Sequence, residues 1–164
     1  MYQVMDMQKR NWKPYVFFIA LAEAVGLLSG WLSREGQRIY PKIATQASLA
    51  PPGWLFPVVW VFLYALMGFG AARTYSALPG VDRNRALNLF TAQLAVNFLW
   101  SPIFFNLGAY GLALLWLLLL LVLVAAMIYC FWKVDRIAAL AQLPYLVWLL
   151  FAAYLNYTVW KWNP

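Results

Sequence analysis

The chain has 164 residues, of which 65% are apolar, 19% aromatic and only 10% charged, against roughly 25% charged in an ordinary soluble domain. A soluble fold of this size could not cover its surface with so few charges, so the composition points to lipid as the solvent. The net charge of +7 is scattered between apolar runs, which excludes the clustered basic face of a nucleic-acid binder. The chain has no His, which excludes His-ligated zinc or haem and every His-based triad, and its single cysteine, Cys130, excludes an intramolecular disulfide.

The chain opens with Lys9, Arg10 and Lys13 ahead of an apolar run. No small-residue cleavage site follows, so the run is retained as a first span and not read as a secretory signal. Five apolar stretches then follow in order, at about 15–32, 54–75, 87–107, 110–132 and 137–160. At about 1.5 Å per residue each covers roughly 27–36 Å, enough to cross a hydrocarbon core with some tilt. The runs are continuous and lack the alternation of a lipid-facing strand. The expected fold is therefore all-α and integral to the membrane, a five-transmembrane-helix bundle forming one domain over 1–164. Short connections around Gly108 and around Lys133, Asp135 and Arg136 make the last three spans antiparallel neighbours. The connection 33–53 is the long one, ends in Pro51-Pro52-Gly53, and is a candidate lid. No internal repeat is evident.

Orientation follows from the basic residues. Lys9, Arg10, Lys13, Arg73, Arg83, Arg85, Lys133 and Arg136 fall on one side, and Arg34, Arg38, Lys42 and Lys161 on the other. The positive-inside rule then places the N-terminus in the cytoplasm and the long connection outside. Helical spans fit a bacterial inner (cell) membrane better than a barrel-dominated outer one.

Within the spans, Ala22, Gly26 and Gly30 on the first and Gly68 and Ala72 on the second repeat every four residues, a spacing that lets backbones approach closely. Pro57 lies in the first turn of the second span, where its missing N–H costs little, and Pro144 is placed similarly in the fifth. Pro102 lies inside the third span, where it frees a carbonyl and should kink the helix beside a cavity. Trp12, Trp31, Trp54, Trp132, Trp160 and Trp162 fall at span ends and read as an interfacial belt. Trp60, Trp100, Trp116 and Trp148 lie deeper, and two readings stand for them: core packing, or the aromatic wall of a cavity for a flat apolar ligand.

Polar groups at membrane depth also carry two readings. Gln93 and Asn97 share a helix face, and Asn156 lies in the fifth span; they either bond between helices or orient a ligand. Glu23, near the middle of the first span, is a functional acid by default, against the alternative of a neutral acid bonded to a neighbouring helix. Leu155, Tyr157 and Lys161 match a loose sterol-contact pattern. Cys130, inside an apolar run, reads as a small buried hydrophobe.

The run from Pro51 to Trp60, continuing to Leu63-Tyr64 and Met67-Gly68, resembles the second-helix signature of the translocator protein family, whose bacterial members are called tryptophan-rich sensory proteins, or TspO. Asn97-Phe98-Leu99-Trp100-Ser101-Pro102-Ile103-Phe104-Phe105 resembles its third-helix motif. Pro144-Tyr145-Leu146-Val147-Trp148, with Phe151-Ala152 and Leu155-Asn156-Tyr157, resembles its fifth. The resemblance covers nearly the whole chain past the first span. It implies a homodimer of five-helix bundles, with a pocket in one half closed by the first connection. It also implies binding of tetrapyrroles such as protoporphyrin IX, of sterols and of synthetic benzodiazepine-type ligands. Carried over by motif, Trp60, Tyr64, Asn97, Trp100, Trp148, Ala152 and Asn156 would line or support the pocket. No resident cofactor or metal is implied, since binding would rest on aromatic contact and not on axial ligation of iron. Many family members carry a Trp-Tyr pair and then Lys-Pro-x-Trp before the Pro-Pro; here the stretch reads Tyr40-Pro41 and then Gln46-Ala47-Ser48-Leu49, so part of that aromatic set is missing.

Function is accordingly expected to be reception of a tetrapyrrole or another flat hydrophobic ligand, in sensing, sequestration or transport. No catalytic pair or metal site is legible. Two alternatives remain: light- or oxygen-dependent porphyrin degradation with the pigment supplying the chemistry, and a transporter in which Glu23 couples proton movement.

Overall fold

The computed structural model describes residues 11–43 and 51–163, and every regular element within them is helical. Helix α1 (Lys13–Leu32) carries Pro14 in its first turn, where no amide is needed. The connection after it folds into two single turns, α2 (Arg34–Gln37) and α3 (Tyr40–Ile43). Then follow α4 (Leu55–Tyr75), α5 (Val81–Ser101), α6 (Tyr110–Val134), the short α7 (Arg136–Leu140) and α8 (Leu143–Trp162). Lys9, Arg10 and the stretch Gln46-Ala47-Ser48-Leu49 lie outside the described residues.

Two expected spans are redrawn. The third was expected over 87–107, but its helix starts at Val81, because Asp82, Arg83 and Arg85 form a first turn that hydropathy does not register. It closes with a widened π-turn over Pro102–Asn106, in which the Leu107 amide donates back to the Pro102 carbonyl at 3.1 Å. The fifth, expected over 137–160, is broken at Ala141 and Gln142 into α7 and α8. Four stretches are long and apolar enough to cross a membrane among the described residues: α1, α4, α6 and the α7–α8 stretch Arg136–Trp162. Helix α5 is long enough but too polar to join them on composition.

The small residues set the helix spacing. A Cβ on Gly68 would strike the α1 backbone at Ile19, so α1 and α4 pack with their backbones nearly in contact. The shared core runs through Ala22, Leu63, Met67, Phe90, Leu120, Met127, Tyr145 and Leu149, all essentially without solvent exposure. Cys130 is buried and free among the same residues. Outside, α6 presents Leu115, Leu118, Leu119 and Val122, an apolar face that only lipid or another apolar surface would satisfy. The six tryptophans assigned to the span ends are all exposed.

Pro102 leaves the Phe98 carbonyl without its helical donor, and Ser29 of α1 supplies one, with Oγ at 2.7 Å. The widened turn is therefore tied across the bundle and not left open. At the opposite end, Asp135 caps α7 through the Ala138 amide at 2.9 Å and pairs with Arg73 of α4 at 2.8 Å. Burial works against the charge on Asp135, but the Arg73 hydrogen bond, the Ala138 and Ile137 amides and the Arg73 charge outweigh it and hold its pKa below the ordinary value.

Candidate functional site

Helices α1, α4, α5, α6 and α8 enclose a cavity of about 430 Å³ in the half of the bundle next to the 33–53 connection. On α1 the lining residues are Glu23, Gly26, Leu27, Ser29, Gly30 and Trp31, most of them spaced by the helical repeat, with Leu27 and Trp31 at the exposed margin. Glu23 is the deepest of them. Eight residues separate it from Trp31 at the mouth, a depth of about 12 Å along the helix. On the loop side the cavity is lined by Gln37, Tyr40, Pro41 and Gly53. Tyr40 packs there by ring contacts to Phe56 (5.7 Å), Phe104 (6.2 Å) and Phe105 (5.8 Å).

All the residues expected to form a pocket meet here. Trp60, Tyr64, Asn97, Trp100, Trp148, Ala152 and Asn156 line one cavity, and Glu23 lines it with them. Leu155 does too, whereas Tyr157 and Lys161 are exposed on the outer side of α8. The expected sterol-contact trio is therefore divided between two faces, as positions two and six residues further along a helix must be.

The polar residues fall into two groups. The first is fully engaged. Tyr64 Oη donates to Asn97 Oδ1 at 2.6 Å, Asn97 Nδ2 donates to Tyr145 Oη at 2.7 Å, and Tyr145 Oη donates to Gln93 Oε1 at 3.0 Å. Gln93 Nε2 ends the chain on the Met67 sulfur at 3.8 Å. Beside it, Trp100 Nε1 donates to Asn156 Oδ1 at 3.3 Å, and Asn156 Nδ2 donates to the Tyr110 carbonyl at 2.8 Å. Gln93, Asn97 and Asn156 thus bond between helices, and two of them also face the cavity. Trp116 is separate from the site: its indole donates to the Val96 carbonyl at 2.8 Å between α6 and α5.

The second group is not engaged. Among the described residues, the indole N–H groups of Trp60 and Trp148 and the carboxyl of Glu23 have no hydrogen-bond partner. The two indole rings pack against the core and on neighbouring rings, Trp60 on Tyr64 (5.4 Å) and Tyr145 (6.2 Å), Trp148 on Phe56 (5.9 Å) and Phe151 (5.5 Å). Trp100 stacks on Phe104 at 5.0 Å and 24°. The cavity is a slot walled by aromatic faces with a few polar groups aimed into it, the form that holds a flat and mostly apolar molecule.

The sequence reading missed Tyr145 and Ser29. Tyr145 is fully buried and joins two of the interhelical bonds, and Ser29 ties down the proline turn. Nothing in their local sequence announces either role, because both depend on how the helices are rotated toward each other.

The sequence pattern of the TspO/MBR family matches residues 18–161. The chain is a member of the TspO/MBR family. Among its TspO/MBR relatives, the human translocator protein is 38% identical over 156 residues, covering 93% of this chain and 91% of that protein. The tryptophan-rich protein TspO of Chlorobaculum tepidum is 34% identical over 152 residues, covering 89% and 93%. Protein CrtK of Rhodobacter capsulatus is 44% identical over 119 residues, covering 71% and 74%. Family and apolar helices together make the chain an integral membrane protein.

Proposed function

We propose that this protein is a membrane receptor for a flat, largely apolar ligand of the tetrapyrrole class, acting in sensing, sequestration or movement of that ligand. The observation that carries the reading is the slot itself: Trp60, Tyr64, Trp100, Trp148, Phe56 and Phe104 around one cavity, with two indole donors uncommitted. A macrocycle stacks on such faces without an axial ligand. Sterols, apolar and flat, fit the same slot less specifically.

The reading includes a fifth crossing by α5. Its deepest polar side chains, Gln93 and Asn97, are buried and bonded inward, which supports placing them at membrane depth. It also includes a cytoplasmic N-terminus, supported by the eight basic residues on that side, a bacterial inner membrane, and a homodimer whose contact is the apolar outer face of the bundle.

The test is quenching of intrinsic tryptophan fluorescence as purified protein is titrated with protoporphyrin IX, beside Trp148→Phe. Saturable quenching near one ligand per chain, weakened about tenfold in the variant, is the expected result. Quenching that does not saturate, or that Trp148→Phe leaves unchanged, rejects the site. Illumination of the complex then separates binding from pigment degradation, which would yield a new absorption spectrum.

A further inference from the structure

The charge in the cavity is one-sided. Among the described residues, Glu23 is the only ionisable acid or base lining the cavity apart from tyrosine hydroxyls, and no Lys or Arg lines it. The segment 44–50, Ala-Thr-Gln-Ala-Ser-Leu-Ala, could bring no cation either. From α4 the titratable group facing Glu23 is Tyr64, whose hydroxyl is already committed to Asn97. From α5 the facing polar group is Asn97 itself, and the bases Arg83 and Arg85 lie at that helix's far end. Arg34 and Arg38, above the mouth, pair with Glu35. A carboxylate in low-dielectric surroundings is costly unless it meets a cation or several donors. Glu23 has neither among the described residues, and it stands at the deep end of the slot within electrostatic reach of Tyr64, with Trp60 lining the same cavity.

We propose that Glu23 is the polar anchor of the cavity, selecting flat apolar ligands that carry an ammonium or another strong N–H donor on the end that enters first. This rests on the cavity being the binding site, as proposed above. The geometry also fixes an orientation. A cationic end reaches Glu23, with aromatic faces alongside that attract a cation. Any carboxylate on the ligand stays at the loop side, at the end of the cavity away from Glu23. A tetrapyrrole would therefore sit with its acidic edge outward, and an anion placed inward would confront Glu23 with no compensating base.

The probes are three pyrenes of one shape: 1-pyrenemethylamine, 1-pyrenemethanol and 1-pyrenecarboxylate. Energy transfer from the protein's tryptophans reports each titration in a non-ionic detergent, with wild type, Glu23→Gln and Glu23→Asp compared. In wild type the amine is expected to bind about tenfold or more tighter than the carboxylate, with the alcohol between them. In Glu23→Gln the amine-to-carboxylate ratio should fall to within about threefold, while saturable binding of the alcohol reports that the pocket still forms. Glu23→Asp should keep the ranking. Equal binding of all three probes, or a ranking that survives Glu23→Gln, overturns the anchor and leaves the cavity standing. No saturable transfer to any probe in protein that binds protoporphyrin IX overturns the anchor; in protein that binds neither, it overturns the cavity reading with it.

Discussion

Gly26 and Gly30 sit four residues apart on the same stripe of α1, and the sequence treats them alike. The structure separates them. A Cβ at Gly26 would overlap the Tyr64 ring, whereas a Cβ at Gly30 meets nothing within 4 Å. The Tyr64 ring cannot swing aside freely, because its hydroxyl is bonded to Asn97 at 2.6 Å. Gly26→Ala therefore has to overpack the contact, at about 1–3 kcal/mol, or break that hydrogen bond, at about 1 kcal/mol. Against this stands a gain of roughly 0.5–1 kcal/mol from replacing glycine in a helix. The net expectation is a loss of about 1–3 kcal/mol for Gly26→Ala and a gain of up to about 1 kcal/mol for Gly30→Ala. Equilibrium unfolding in mixed micelles, followed by far-ultraviolet circular dichroism, measures both. A Tyr64→Phe background should reduce the cost of Gly26→Ala, since the ring is then free to shift. Equal destabilisation by the two alanines, or the same cost in both backgrounds, would refute the reasoning.

Three further perturbations follow from the same contacts. Gly68→Ala drives a methyl into the backbone of α1 at Ile19, which cannot give way as a side chain can, so it should cost about 3 kcal/mol in the same unfolding assay. Ser29→Ala strands the Phe98 carbonyl and should cost about 1–2 kcal/mol; a Pro102→Ala background restores a backbone donor and should remove most of that cost in a double-mutant cycle. Asp135→Ala removes a helix cap and the partner of Arg73, with both side chains about one-fifth exposed, and should cost about 2–4 kcal/mol. Because the folded pKa of Asp135 lies below its unfolded value, its contribution is complete above the ordinary aspartate range and is lost as pH falls below about 4. The stability difference between the wild type and the Asp135→Ala variant, measured from neutral pH to about pH 3, should narrow as the pH falls below about 4.

The long apolar runs were legible because lipid imposes one rule on every residue of a span. Helices α1, α4 and α6 lie within about two residues of their expected limits for that reason. The rule fails where a helix continues beyond the apolar stretch, as α5 does through Asp82, Arg83 and Arg85. It fails again where apolarity runs on through a break, as at Gln142, whose Nε2 bonds the Leu66 carbonyl of α4 at 3.0 Å. The pocket residues were legible by resemblance in motifs that crowd aromatics and amides at fixed positions. Their division into bonded and unbonded groups was not, because it depends on distances across helices. Glu23 was visible as an oddity, but its facing residues were not, since Tyr64 and Asn97 come from two other helices.

That division explains how a slot lined with large rings can stay open. In lipid, a void between helices is filled by whichever neighbouring side chain can rotate into it, unless that side chain is held elsewhere. Tyr64 and Trp100 are held, each by a hydrogen bond to a buried amide, and those amides are bonded in turn to Tyr145 and to the Tyr110 carbonyl. Letting either ring fall into the cavity would leave a donor and an acceptor unpaired where water cannot replace them. Trp60 and Trp148 face the same space and pack on the core and on neighbouring rings, with no hydrogen bond to hold their indoles among the described residues. Tyr64 and Trp100 thus keep the shape of the cavity, and in the binding role proposed above the two unbonded indoles would be the groups that adapt to a guest. A ligand that bonds either indole adds an interaction the empty protein lacks, whereas one that competes for Asn97 must first break bonds already made. Affinity should therefore follow contacts to Trp60, Trp148 and Glu23, and stability should follow Tyr64, Asn97 and Tyr145.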